Sequence, residues 1–242
     1  MMDILWPALL LSFVLLGIHA YFGREIIKRG VIFTDLAVGQ LSAVGVALAL
    51  LLNSEIHVLS VLFALLGGLL VLLFERSQYK EALIGLLYAL GVSSVYLILS
   101  KSPHGAEDFL RLTAADILFV PMQEILKTAV AYSFIGLLLF VRSKFLEGFL
   151  KELTFYLLFA FTVSSSVKLA GVVVVFSILL APALVSLFLM DNLLFAWLWG
   201  AAVNTVAMII SYKLDLPTGF SVAFLQALCS LCVFFLRMVK TS

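Results

Sequence analysis

The sequence predicts an all-α membrane protein, a polytopic bundle of eight to nine transmembrane helices, on three observations. Sixty-four per cent of its 242 residues are apolar and only 12% are charged, where soluble chains carry roughly 45–50% and about 25%. Mean hydropathy is +1.22. The apolar residues also fall in long runs without alternation. In lipid each crossing segment must satisfy its own backbone, so such runs read as helices and not as barrel strands.

The runs lie near residues 4–22, 31–52, 56–74, 82–99, 122–141, 153–168, 170–190, 193–212 and 218–236. The opening "MMDILWPALLL" has acidic Asp3 and no basic flank, so it is expected to stay as a span and not to be a cleaved signal. Only Lys168 and Gly171 divide the sixth run from the seventh, which leaves eight spans as the alternative to nine. Pro182, in "LLAPAL", lacks a backbone donor and should bend the seventh span. Pro217 and Gly219, in "LDLPTG", mark a tight turn into the last.

With nine crossings the termini lie on opposite sides, and basic residues choose the direction. A cytoplasmic loop after the first span places Arg24, Lys28, Arg29, Arg76, Lys80, Arg142, Lys144, Lys151, Arg237 and Lys240 inside. Lys101, Arg111, Lys127, Lys168 and Lys213 then lie outside. This favours an external N-terminus and a cytoplasmic C-terminus.

No stretch is long enough for a soluble domain, so residues 1–242 form one transmembrane domain. The longest non-spanning segment, 101–121, lies outside; Ser102-Pro103 reads as a helix cap, and the spacing beyond suits a short interfacial helix. It serves either for docking or as a connector. Residues 142–152 form a short amphipathic cytoplasmic segment able to press on a soluble motor, with a solvated turn as the plainer alternative. A net charge of +1 gives no reason to expect nucleic acid.

The sequence has no G-x-x-x-x-G-K-[ST] phosphate loop, no H-E-x-x-H and no G-x-S-x-G elbow, which disfavours an enzyme. Uphill movement of a solute then draws on an ion gradient or on a partner subunit. Asp35 is a carboxylate inside an apolar run, costing about 2.5–3.5 kcal/mol at mid-membrane, and is a functional candidate by default. If the second helix began near Arg24, Asp35 would lie about 16 Å along it at 1.5 Å per residue. The alternative is a surface cap or a pair with Lys28 or Arg29. His19, near the inner end of the first span, and Gln40 complete the candidate metal set, since imidazole and side-chain oxygens ligate divalent cations. Asn204 and Gln226 are expected to hydrogen-bond between helices. His57 is expected to be solvated, and His104, Glu107 and Asp108 form an external cluster. Cys229 and Cys232, in "CSLC", share a helix face but lack two further ligands, so no metal or redox site is expected. Gly39, Ala43 and Ala47 make a small-residue row for close helix approach.

Three stretches, "RGVIFTDLAVGQLSAVGVALA", "VKLAGVVVVFSILLAPALVS" and "LDLPTGF", occur in the order and at separations like those of one family, with "HGAEDFLRLTAADILFV" adding weaker similarity. In these the chain resembles the membrane-permease family of bacterial ABC importers for zinc, manganese and iron(II). The resemblance implies a type II importer fold, with two permease copies as a homodimer around a shared pathway. It also implies two cytoplasmic ATPase subunits, an extracytoplasmic metal-binding protein, and a divalent metal ion as substrate with no permanently bound cofactor. It makes Phe145, Leu146, Glu147 and Gly148 part of a coupling helix on the ATPase. Gly39, Gly45, Gly171, Pro182, Pro217 and Gly219 become structural positions.

One departure stands out. Typical members have Asp-x-x-x-His-x4-Gly in the second span; anchoring on Gly45 puts Gln40 at the histidine position and Leu36 at the aspartate position. Asp35 comes one residue early and points about 140° from Gln40 on a regular helix. Both meet one ion only if the helix unwinds, as at Gly39. Asp35 with His19 is therefore the better ligand pair, and Gln40 is carried over as lining the pathway. The rival readings are a gradient-driven secondary carrier, with Asp35 as a proton relay, and a permease for a metal chelate such as a siderophore or cobalamin.

Overall fold

The computed structural model describes residues 2–102, 107 and 117–241. Among these, nine helices are long and apolar enough to cross a membrane. They are α1 (Met2–Arg29), α2 (Thr34–Leu52), α3 (Ile56–Phe74), α4 (Lys80–Leu99), α5 (Met122–Phe145), α6 (Gly148–Ala170), α7 (Val172–Leu189), α8 (Leu193–Leu214) and α9 (Thr218–Thr241), with a 3-10 turn at Ile117–Phe119 before α5. Most of the expected interfacial segment 101–121, including Pro103, His104 and Asp108, lies outside the described residues.

Nine helices settle the alternative of eight. Gly171 separates α6 from α7 with φ +83° and ψ 159°, a backbone that L side chains rarely adopt, so one glycine ends one helix and starts the next. By contrast α7 runs on through Pro182 without a break.

Opposite faces of the bundle are identified by ion pairs. Arg29, ending α1, meets Glu75 just past α3 at 3.2 Å and also Glu152 of α6. Arg24 meets Asp191, just past α7, at 2.6 Å. The ends of α1, α3 and α7 thus share a face with the start of α6. At the other face Lys168, ending α6, donates to His57 Nδ1 in the first turn of α3 at 3.0 Å. Helices therefore alternate up and down, and His57 stands in a helix and not in a loop.

Helix ends depart from the sequence reading mainly at the arginine face. α1 continues to Arg29 instead of stopping near residue 22, α5 continues to Phe145, and α6 starts at Gly148. The charged turns read as loops from composition are helical because their charges find partners across the bundle.

The helices sort into two packing units. α2 packs on α3, α4 and α6, and α3 also packs on α6. α1 packs on α7 and α8, and α9 on α7 and α8. α5 leans on α1 and α6, bridging the units, and α2 also touches α7. At the α2–α3 crossing a Cβ on Gly45 would lie 2.4 Å from the Leu59 carbonyl oxygen, so the backbones meet with no room for a side chain. A Cβ on Gly39 would instead find ordinary contacts at 3.5–3.6 Å with Val167, Val163 and Val172. That packing therefore does not demand glycine.

Candidate functional site

α1 ends at Arg29 and α2 begins at Thr34, so Asp35 stands in the first turn of α2 and not 16 Å along a longer helix. There the positive end of the helix dipole favours a carboxylate. The side chain is nevertheless enclosed, at 2% exposure, and Oδ1 has no hydrogen-bond partner. It is not the surface ion pair that the sequence left open: Lys28 pairs with Asp191, and Arg29 with Glu25, Glu75 and Glu152. Buried polar atoms are nearly always bonded, so this orphaned oxygen requires an explanation.

The unwinding at Gly39 that a shared ion would require does not occur, because α2 is helical throughout Thr34–Leu52. Asp35 therefore shares its face with Gly39 and Ser42, four and seven residues on. That face meets α6 and α7, with Gly39 beside Val163, Val167 and Val172, and Ser42 bonded to Ser164. Gln40 points elsewhere, its Cβ lying 2.7 Å from where a Cβ on Gly91 of α4 would be, and it is half-buried. Asp35 and Gln40 do not converge.

His19 is enclosed in the other unit, at 1% exposure. Its Nδ1 lies 2.7 Å from the Leu15 carbonyl, which places the proton on Nδ1 and leaves Nε2 as a bare lone pair. Nε2 has no hydrogen-bond partner, and the ring tilts against Tyr132 of α5 at 6.2 Å between centroids. No hydrogen bond or ion pair joins His19 to Asp35, and no group of three or more His, Cys, Asp or Glu side chains able to hold a metal occurs among the described residues. Each is a single ligating atom in its own packing unit. Cys229 and Cys232 are free thiols.

Over residues 1–150 and 146–237 the chain matches the family described as ABC 3 transport. The chain belongs to the ABC 3 transport family. A curated relative, "Probable iron transport system membrane protein" from Haemophilus influenzae, is 27% identical over 174 residues, which is 63% of this chain and 64% of the relative. Two solved structures have the same fold. PsaBC from Streptococcus pneumoniae in complex with Fab has a TM-score of 0.75 at 18% identity, covering 96% of this chain and 91% of that one. A transporter described as of metal-chelate ABC type, in an inward-facing conformation, has a TM-score of 0.72 at 19% identity, covering 95% and 85%.

Within this ABC 3 chain, the coupling segment expected over 142–152 is not an element of its own. Phe145 closes α5, Leu146 and Glu147 are extended, and Gly148, at φ +56°, opens α6. The physical reason is Arg142, which turns inward: it is 3% exposed, donates from Nε to the Lys151 carbonyl at 2.6 Å and lies 4.9 Å from the Phe155 ring centre. That ties the end of α5 to the start of α6 and leaves a two-residue link. Phe145, Phe149 and Leu150 are exposed beside it. Of the other structural positions, Pro217 is exposed where it enters α9 and Gly219 is buried in the first turn; before them Asp215 ends α8 at φ +52°.

Three polar clusters were not read from the sequence. Ser42, Ser60 and Ser164 form a closed triangle at 2.9–3.0 Å, all fully buried, joining α2, α3 and α6. Tyr132 Oη is shared among Ser165, at 2.9 Å, Ser166 and the Thr162 carbonyl, tying α5 to α6. The third is the arginine cluster. The run Ser164-Ser165-Ser166 in an apolar span was the available signal for the first two, one serine facing α2 and two facing α5. As expected, Gln226 donates to Asn204 at 2.6 Å between α9 and α8. A groove of about 500 Å³ between α1, α5 and α8 is mainly apolar, and its lining includes neither Asp35 nor His19.

Proposed function

We propose that the chain is the permease subunit of an ATP-driven importer that carries a divalent transition-metal ion across the cytoplasmic membrane. In this reading the arginine face is cytoplasmic, the N-terminus external, and the exposed Phe145, Phe149 and Leu150 seat a cassette ATPase. A second copy completes the pathway, and an external metal-binding protein delivers the ion. Family membership supports the transport class, and the missing phosphate loop supports a separate motor. The curated relative's printed iron role fits a metal substrate.

The observation that carries the reading is Asp35, an enclosed carboxylate with an unbonded oxygen in the helix most buried in the bundle. Its cost in a membrane is offset if it serves a passing cation. His19 Nε2 offers a second, separate lone pair, so the ion meets isolated ligands in turn. Sparse ligation suits transport, because a fully ligated site would hold the ion instead of releasing it. Carboxylate and imidazole suit zinc, manganese(II) or iron(II). A chelate would need a roomy route, whereas Asp35 is closely packed.

The test is reconstitution of the chain with its co-purifying ATPase in vesicles. Metal uptake that requires ATP and survives collapse of the proton gradient is expected. Uptake that ignores ATP and stops with the gradient would establish a secondary carrier instead.

A further inference from the structure

The arginine cluster forms a continuous path between two places that matter under the proposed function. It begins at the α5–α6 link, where Arg142 holds the Lys151 carbonyl at 2.6 Å and lies 3.7 Å from Glu152. Glu152 also receives Arg29 of α1, and Arg29 reaches Glu75 at 3.2 Å. Both guanidinium groups also meet the ring of Phe155, Arg29 at 4.3 Å and Arg142 at 4.9 Å from its centre. Arg29 is only 17% exposed in its side chain, so these pairs are shielded from competing water.

From Arg29 the path continues along the backbone. Its carbonyl accepts from Lys80 Nζ at 2.7 Å, and the neighbouring Glu81 accepts from the Ile32 N–H at 2.8 Å. Thr34 Oγ1 donates to the Val31 carbonyl at 2.7 Å. The connection from α1 to α2 is thus four residues, 30–33, fastened at both ends, and Asp35 follows at once in the first turn of α2. Only Arg29 in this chain of contacts joins the α6 side to the α1–α2 connection. Both carboxylates, Glu75 just past α3 and Glu152 of α6, meet the same Arg29 nitrogen, Nη1, so this one group joins the two elements.

We propose that Arg29 is a positioning residue that carries displacement of the α5–α6 link to the first turn of α2, so that the motor's state sets the position of Asp35. This rests on the reading that the link faces the ATPase. A shift of Glu152 must either take Arg29 along or break a shielded ion pair. If Arg29 follows, the short fastened connection cannot take up the movement and α2 moves with it.

The experiment measures ATP hydrolysis and uptake together in the reconstituted complex, with iron(II), manganese(II) and zinc(II) as separate probes. For Arg29→Gln, hydrolysis within about twofold of the native complex and uptake down at least about tenfold are expected. Arg29→Lys, which keeps the charge opposite Glu75 and Glu152, falls between. Glu152→Gln, which removes one charge from the start of α6, is read in the same way should Arg29→Gln fail to assemble. Uptake unchanged in both single variants, or hydrolysis and uptake falling in parallel, overturns the relay, because a merely structural residue does not alter the ratio of the two. If the native complex shows no ATP-driven uptake, the functional reading fails and the relay falls with it.

Discussion

α2 and α1 each run through a packed unit, and each carries one ligating atom left without a partner, but the units are held together differently. Around α2 the bonding is hydroxyl to hydroxyl, in the Ser42–Ser60–Ser164 triangle, and the helices approach to backbone contact at Gly45. In the α1 unit it is amide to amide, Gln226 of α9 to Asn204 of α8, the latter helix packing on α1. Both devices pair polar groups where lipid offers no alternative, the serines among themselves and the amides with Asn204 Nδ2 and Gln226 Oε1 left over. Other buried polar atoms also lack partners, among them Tyr156 Oη, Trp199 Nε1, Asn204 Nδ2 and Gln226 Oε1, but Asp35 Oδ1 and His19 Nε2 are the carboxylate and imidazole atoms of that set, the types that ligate divalent transition metals. Packing therefore accounts for the serines, and ligating chemistry, not the missing partner alone, singles out the carboxylate and the imidazole.

Four substitutions break or sharpen this contrast. Gly45→Ala should have the largest effect, since the new Cβ meets backbone; overpacking costs about 1–3 kcal/mol. Thermal unfolding of the detergent-solubilised protein reads it, and an unchanged midpoint would mean that the α2–α3 contact is loose. His19→Asn retains an N–H near the Nδ1 position for the Leu15 carbonyl but removes the imidazole, so assembly should persist while metal uptake falls about tenfold. Ser164→Ala opens the triangle and should cost roughly 0.6 kcal/mol of stability, about 1.7 at most, without changing uptake. Gln40→Ala should be nearly silent, within about 0.5 kcal/mol in stability and roughly twofold in uptake, because its side chain lies on the face toward α4. A large loss of uptake there would place the pathway on the wrong side of α2 in the present account.

Much of the fold was legible because crossing lipid takes about 20 apolar residues and the runs mark themselves. The ends at the arginine face were not. Arg24, Lys28 and Arg29 lie beyond the apolar run that marks the span, and their partners Glu75, Glu152 and Asp191 are distant in sequence, so the extension of α1 to Arg29 carried no local sign. The division at Gly171 was visible as a glycine but not as a break, because its backbone conformation is a tertiary property. At the candidate site, the cost of a carboxylate in an apolar run singled out Asp35, and helical geometry alone separated it from Gln40. The sequence offered His19 and Asp35 as a pair, but they were assigned by residue type, and spans adjacent in the chain need not be the ones that pack. The serine triangle stayed hidden because single serines are common in membrane helices and carry no sign of which neighbour they meet.

The central claim is that the Asp35 carboxylate contacts the transported ion. Asp35→Asn keeps the shape and removes the charge, so ATP-driven metal uptake by the reconstituted complex tests the claim most directly. Loss on the order of 100-fold, with the ATPase still bound, is the predicted result. Uptake within about twofold of the native complex would contradict it.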